Sequence, residues 1–381
     1  MMPILLWSDA LLFLLLAGVA ALVWTMRERD WLREPWRQVL KSRLGAASAL
    51  ILAVYLSLGL IDSLHYRERL SAEPGKPAQY GGEVLSGLDW LLTPLRTHVE
   101  KTYSAPLATR LYVKESIKGA DGREHRDYPE LKYPGAHLFG TDKVGQDVFY
   151  LALKSIRTGL LIGTLTTLVT LPFALGLGIA AGYFGGRVDD AIQYVYTTLN
   201  SIPGVLLIAA SVLVAQVQIE AHAALFDTSA ARADVRLLAL CAIMGLTGWT
   251  GLARLLRGEA LKLRELEFVQ AARAFGVRQG RILLRHLLPN VMHLVLITVV
   301  IDFSGLVLAE AVLSYVGVGV DPAMISFGNM INGARLELAR EPVVWWQLAA
   351  AFVFMFVLVL AANLFADAVR TALDPKAERK A

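Results

Sequence analysis

Residues 270–290 read QAARAFGVRQGRILLRHLLPN, a basic amphipathic stretch set between two long apolar runs. The segment before it, Arg257–Val269, is rich in Leu, Glu, Lys and Arg, all good helix formers, and the helix should continue through Ala274. Gly276 stands where a helix stop needs a residue able to take positive φ. From Val277 the helical period resumes. Ile282, Leu283, Leu287 and Leu288 form an apolar stripe, with Arg278, Arg281 and Arg285 opposite. Pro289 closes the motif as the next apolar run begins. The expected structure is a helix–turn–helix hairpin lying against one face of a membrane. Small residues at Ala271, Ala272 and Ala274 allow another protein's surface to come close, and the exposed cations could orient it. Tied to two spans, such a hairpin can turn a push into helix rotation. An amphipathic helix resting among lipid headgroups has the same spacing, so the pattern alone leaves both readings open.

The rest of the chain supplies the membrane. Of 381 residues, 55% are hydrophobic and 18% charged, and the mean hydropathy is +0.50. A soluble domain of this length would carry more charge. Seven runs approach the ~20 residues a bilayer helix needs: Pro3–Met26, Leu44–Leu64, Thr158–Tyr183, Ile192–Val217, Val235–Leu256, Val291–Val316 and Val343–Val369. The expected fold class is therefore all-α, a polytopic protein of six to seven transmembrane helices. Arg27–Arg43 holds six Lys/Arg against three acids and Arg257–Arg285 seven against three, whereas Gln218–Asp234 has one arginine and three acids. By the positive-inside rule the first two are cytoplasmic and the third external. An external N-terminus and a cytoplasmic C-terminus satisfy all three. No basic region precedes Pro3–Met26, which suggests a retained span rather than a signal peptide; an interfacial helix would fit as well. The organisation expected is an extra N-terminal span and basic segment (1–43), a first span (44–64), an external insertion (65–157), a core (158–370) containing the hairpin at about 257–290, and a cytoplasmic tail (371–381). The insertion is turn-rich and reads as a partly ordered cap or docking surface. Trp345 and Trp346 suit an outer aromatic belt.

Composition also excludes chemistry. The net charge of +4 and pI near 9.1 fit cytoplasmic loops rather than nucleic-acid binding. Cys241, the single cysteine, excludes an intramolecular disulfide and reads as a small buried hydrophobe. There is no G-x-x-x-x-G-K-[ST] phosphate loop, no HExxH, no GxSxG and no His/Cys cluster at metal spacing. No catalytic residue, metal or cofactor is expected on this chain. Within the apolar runs, Asp302 and Glu310 lie eight residues apart and roughly on one helix face, and Asn200 precedes an expected kink at Pro203. A carboxylate at membrane depth needs a partner or a wet cavity. Asn200, Asp302 and Glu310 are candidates for a translocation path, with an interfacial place for Glu310 and structural pairing for Asp302 as the alternatives.

The motifs have a family likeness. Gln270-Ala271-Ala272, Gly276, Ile282 and Leu288-Pro289 resemble the EAA loop of ABC-transporter permeases, with Gln270 where Glu is usual. His137, Gly140, Thr141, Asp142, Gly145, Asp147 and Val148 resemble the H-x-L-G-T-D-x-x-G-R-D-V stretch of dipeptide/oligopeptide/nickel permeases, C-type subunit, with Phe139 for Leu and Gln146 for Arg. Thr141 or Asp142 is expected to cap a short interfacial helix there. "LAEAVLSYVGVG", "FGNMI" and "RTALDP" agree with the same family, while Tyr194 and Thr197 stand where Arg and Asp are common. The resemblance covers about Pro134–Pro375 and leaves residues 1–43 outside.

This resemblance implies a type I ABC importer permease (MetI-like) core in a cell's inner membrane, moving peptides or a similar small solute. It makes Gln270, Ala271, Ala272, Arg273, Gly276 and Pro289 the ATPase-coupling residues. It also implies a homologous second permease, two ABC ATPase subunits that carry the ATP and Mg, and an external solute-binding protein. The competing classes are an ion-gradient-driven secondary transporter or channel, with Asp302 and Glu310 carrying protons, and a membrane scaffold with no transport role.

Overall fold

The computed structural model describes residues 2–26, 30–69, 80–118, 124–226 and 228–373. The chain begins with β1 (Met2–Ile4), α1 (Trp7–Met26), α2 (Asp30–Lys41), α3 (Arg43–Asp62) and β2 (His65–Arg67). A mixed segment follows, with β3 (Leu85–Ser86), α4 (Gly87–Leu91), α5 (Thr93–Thr97), β4 (Glu115–Lys118) and β5 (Glu124–Asp127). Then come α6 (Val148–Phe184), α7 (Gly186–Asn200), α8 (Gly204–Ala221), α9 (Ser229–Gly248), α10 (Thr250–Leu263) and α11 (Glu267–Ala274). A short α12 (Gln279–Ile282) and a π turn (Leu283–Leu287) lead into α13 (Leu288–Val316), followed by α14 (Phe327–Glu337) and α15 (Trp346–Leu373).

Among the described residues six stretches are long and apolar enough to cross a bilayer: Arg43–Asp62, Val148–Phe184, Gly204–Ala221, Ser229–Leu263, Gln279–Val316 and Trp346–Ala372. The protein is thus an all-α polytopic bundle. The seventh expected run, Pro3–Met26, divides differently. Met2–Ile4 pairs with β2 as the edge of a three-stranded sheet, and the helix of this run, α1, begins only at Trp7.

Two further boundaries move for local reasons. α6 starts at Val148, ten residues before the expected Thr158, because the Asp147 carboxylate accepts the Tyr150 N–H and caps the helix. The insertion therefore ends at residue 147, not 157, and Lys154 and Arg157 sit on a spanning helix. The run Ile192–Val217 is two helices. Pro203 lacks an N–H and disfavours helical backbone at Ile202, so α7 stops at Asn200 and α8 starts at Gly204.

α6 is the strut of the bundle and packs on α3, α9, α10, α13 and α15. Its crossing with α10 is lined by Gly178 and Gly182, a G-x-x-x-G spacing. A methyl group at Gly178 would lie 2.7 Å from the Ala253 carbonyl, and one at Gly182 2.5 Å from that of Arg257. Lipid tails are as apolar as leucine, so helices in a bilayer gain by such backbone-to-backbone approach rather than by hydrophobic burial. One end of the bundle carries the insertion, the other the hairpin.

At the insertion end a polar knot joins four segments. On α1, Ser8 donates through its backbone N–H (3.0 Å) and its hydroxyl to the Asp234 carboxylate of α9. Its neighbour Asp9 accepts from Arg157 on α6 at 2.6 Å and lies 2.7 Å from His65 Nδ1. Arg157 also donates to Ser63 and Ser8. Beside it, Lys154 binds Asp62 and Asp89. Burial opposes ionisation of Asp89, but the Lys154 ammonium holds its carboxyl below the usual range. The insertion shares its core with the spans: Tyr103, Val148, Leu151 and Trp346 form one cluster. Trp346 is consequently not a belt residue; it is buried, donates to the Thr141 carbonyl at 2.9 Å and meets Tyr112 edge-on. Trp345 remains exposed.

If the α6–α10 crossing depends on the missing side chains, Gly182→Ala lowers stability by about 1–3 kcal/mol. Gly176→Ala, whose methyl would meet nothing within 4 Å, leaves it level or slightly raised. Thermal unfolding of the two solubilised variants separates these outcomes, and equal midpoints would refute the close crossing.

Candidate functional site

The hairpin forms as its glycine demands. α11 ends in a Schellman turn: Gly276 takes φ +73°, Val277 N–H reaches the Ala272 carbonyl and Gly276 N–H that of Arg273, both at 3.0 Å. Val269, Ala272, Ile282 and Leu287 face inward and join Tyr183, Leu256, Ala260 and Val291 in one apolar cluster. Gln270, Ala271, Ala274 and Phe275 face outward, with Phe275 86% exposed at the turn. Gln270 donates from Nε2 to the Glu265 carbonyl at 3.1 Å, which closes its own helix start and leaves no ion pair where the family's Glu would stand. Arg273 serves the hairpin's attachment: its guanidinium lies 4.5 Å over the Tyr183 ring and its Nε donates to the Tyr183 hydroxyl.

Pro289 does not end the second arm. It sits in the first turn of α13, where its missing N–H leaves one carbonyl free, and the π turn at Leu283–Leu287 absorbs the irregularity. α12, the π turn and α13 run on without a break, so the hairpin's second arm is the start of a spanning helix. A second tie lies beside it. Arg257 on α10 grips Asp189 on α7 with two bonds of 2.6 Å, and Arg264 donates to the Gly182 carbonyl. Those Arg257 hydrogen bonds hold the Asp189 carboxyl below its usual range.

The three path candidates do not share a chamber. Asn200 ends α7 and accepts from the Thr250 hydroxyl at the α9–α10 junction, at 3.1 Å. Asp302 is exposed on α13 and lines a cavity of about 410 Å³ with Thr167, Thr170, Gly248, Gly251 and Thr298. Glu310 is turned away from it. Eight residues at 100° each leave an 80° offset, enough to bury Glu310 to 1% exposure. There it accepts from Ser314 (2.7 Å) and from Ser326, the N-cap of α14 (3.0 Å). Glu310 lies six residues from the end of α13, outside the cavity, and anchors α14. The two hydroxyls supply the partners that a carboxyl group buried in a spanning helix needs.

The motif at residues 137–147 gathers into a staple at the insertion end. His137 Nδ1 lies 2.9 Å from Asp147 Oδ2, while Asp147 Oδ1 caps α6. Thr141 Oγ1 accepts the Ser104 N–H, and the Thr141 carbonyl takes the Trp346 indole. Asp142 caps no helix: its carboxylate accepts Val144 and Gln146 N–H within its own turn, and burial pushes its carboxyl up. Gly140 abuts Trp346, and Gly145, at φ +78°, lies so close on the Glu100 backbone that a side chain would collide. Of these residues His137, Gly140, Thr141 and Asp147 hold the insertion to α6 and α15, while Asp142 and Gly145 shape the turn between them.

Sequence reasoning missed Ser8, Asp9, Arg157 and Asp234, and also Arg236, which bridges Glu220 and Asp321. The signal was available: ionisable residues inside apolar runs are seldom without partners. The lowered pKa of Asp189 gives a checkable pH effect. A carboxyl lowered in the folded state stabilises fully above its unfolded value, about 4, and loses that contribution as pH falls through the lower folded value. The stability difference between wild type and Asp189→Asn should thus stay flat from pH 8 to 5 and shrink on further acidification; a difference independent of pH would contradict the clamp.

Comparison with known proteins follows the same outline. Residues 174–379 match the family described as binding-protein-dependent transport system inner membrane component. The oligopeptide transport system permease protein OppC of Mycobacterium tuberculosis is 31% identical over 246 residues, 64% of this chain and 78% of that protein. The dipeptide transport system permease protein DppC of Lactococcus lactis is 26% identical over 350 residues, 91% of each. A solved inward-facing structure of the MetNI methionine ABC transporter aligns at 18% identity and a TM-score of 0.43, over 59% of this chain and 97% of that one.

Proposed function

We propose, since the chain belongs to the binding-protein-dependent transport system inner membrane components, that it is the C-type permease subunit of an ATP-driven importer of peptides. The relatives named for oligopeptide and dipeptide transport support that cargo. The observation that carries the mechanism is the unbroken path from hairpin to span. One arm is bound to the end of α6 through Arg273 and Tyr183; the other continues as α13. A displacement of the hairpin must therefore move both α6 and α13, two of the four helices that wall the Asp302 cavity with α9 and α10.

In this reading two ATPase subunits, which bind the ATP and Mg, hold the outward residues Gln270, Ala271, Ala274 and Phe275. Gln270 contributes reach without charge, so the grip rests on close contact and on the apolar Phe275 ring. A homologous permease completes the path, and a solute-binding protein delivers cargo at the insertion end, which is external; the hairpin and C-terminus are cytoplasmic. The basic balance of residues 257–285 supports this direction.

Gly276 provides the test. A β-branched residue at φ +73° costs about 1–2 kcal/mol or more, whereas Asn tolerates that backbone. Gly276→Val should abolish ATP-dependent peptide uptake while the protein still inserts at normal yield, and Gly276→Asn should retain much of it. Wild-type uptake by Gly276→Val would remove the hairpin from the mechanism.

A further inference from the structure

Asp302 lies fourteen residues from either end of α13, counted from Leu288 and Val316. At 1.5 Å per residue that is roughly 20 Å from each terminus, the middle of the span. Other carboxylates on the candidate spans have partners: Asp62 has Lys154 and Ser86, Asp234 has Ser8, Glu310 has two hydroxyls. Asp302 has no hydrogen bond or ion pair among the described residues. Asp367 shares that condition, but it sits five residues from the end of its span, Trp346–Ala372.

Acceptors predominate around Asp302, and of the cavity's threonines Thr298 alone, with no side-chain hydrogen bond among the described residues, can also donate. Thr167 and Thr170 spend their hydroxyl protons on the Gly163 and Thr166 carbonyls, at 2.7 and 3.0 Å. What these hydroxyls keep is acceptor capacity. No Lys, Arg or His lines the cavity. Gly248, Gly251 and Gly305 keep its walls low, for a methyl at any of them would meet nothing within 4 Å. About 410 Å³ is within the range of small-ligand sites. One negative charge with free acceptors suits a group that only donates, and a primary ammonium, with three donors and no acceptor, is that group.

We propose that Asp302 is a cation subsite within the translocation cavity, binding a protonated primary amine of the passing solute. The proposal rests on the importer reading above and names the solute group which that importer handles at mid-membrane. Because Asp302 rides on the helix continuous with the hairpin, movement of the hairpin also moves the subsite and releases its ligand. A peptide offers two such groups, its α-ammonium and a lysine side chain, and the test separates them.

Cells carrying the complete transporter would be compared for ATP-dependent uptake of Ala-Ala-Ala, Ala-Lys-Ala and Ala-Glu-Ala. Wild type, Asp302→Asn, Asp302→Glu and, as a control, Asp367→Asn would be measured together. The expected result is a loss of about tenfold in Asp302→Asn, equivalent to about 1.4 kcal/mol, with recovery in Asp302→Glu and no change in Asp367→Asn. Loss confined to Ala-Lys-Ala identifies the side-chain amine; equal loss for all three identifies the α-ammonium. Uptake of all three by Asp302→Asn within twofold of wild type overturns the proposal. So does loss of the second permease from the purified Asp302→Asn complex, which would make Asp302 a subunit contact. Absence of any ATP-dependent uptake by wild type would instead sink the importer reading, and the subsite with it.

Discussion

Where α6 crosses α10, two glycines let one helix backbone rest on another, and most of the hairpin end is hung from that contact. Gly182 offers its carbonyl to Arg264 and its missing side chain to Ala260 and Arg257. Arg257, held there, reaches Asp189 and fixes α7. One residue past Gly182, Tyr183 receives Arg273 and so fixes α11. Separating the helices by a single methyl would disturb all three attachments together. In a solvent that gives apolar faces no reason to associate, this geometric approach supplies the attraction that a hydrophobic core supplies in water.

The polar groups obey the complementary constraint. With little water at membrane depth, each needs an internal partner, and the bundle places its ionic contacts near helix ends. The knot around Arg157 closes one end and the Arg257–Asp189 clamp the other. Between them the polar groups are mostly hydroxyls bonded back to their own helix, as at Thr164, Thr167 and Thr170. Asp302 departs from this rule, and the departure gives it functional interest. Glu310, eight residues further along the same helix, obeys it through two serines.

Much of this was legible in the residue order. Apolar run lengths gave five of the six spans nearly in place, and the spacing around Gly276 anticipated a turn with positive φ. The hairpin's inward and outward faces also followed from the stripe Ile282, Leu287 and its opposing arginines. Other features were hidden because they depend on partners far along the chain. That Glu310 would meet Ser326, or Trp346 the Thr141 carbonyl, cannot be read from periodicity. Capping was misjudged by a few residues: Thr141, Asp142 and Asp147 all suit an N-cap, and only the fold selects Asp147. Ile192–Val217 was read as one span with a kink at Pro203, where the fold has a full break between two helices. The G-x-x-x-G at Gly178 and Gly182 went unread in the sequence, although its spacing is that of a close helix contact.

Ser8 and Asp234 are 226 residues apart in sequence, and the β1 strand that precedes Ser8 needs β2 for its pairing. During synthesis, therefore, the knot at this end has to wait: Asp9 can find Arg157 only after the sixth helix has emerged, and Ser8 can find Asp234 only after the ninth has begun. Until then these acidic and basic side chains must be sheltered by headgroups, water or the insertion machinery. Biogenesis of this subunit thus has a late locking step, in which the earliest-made residues are among the last to settle.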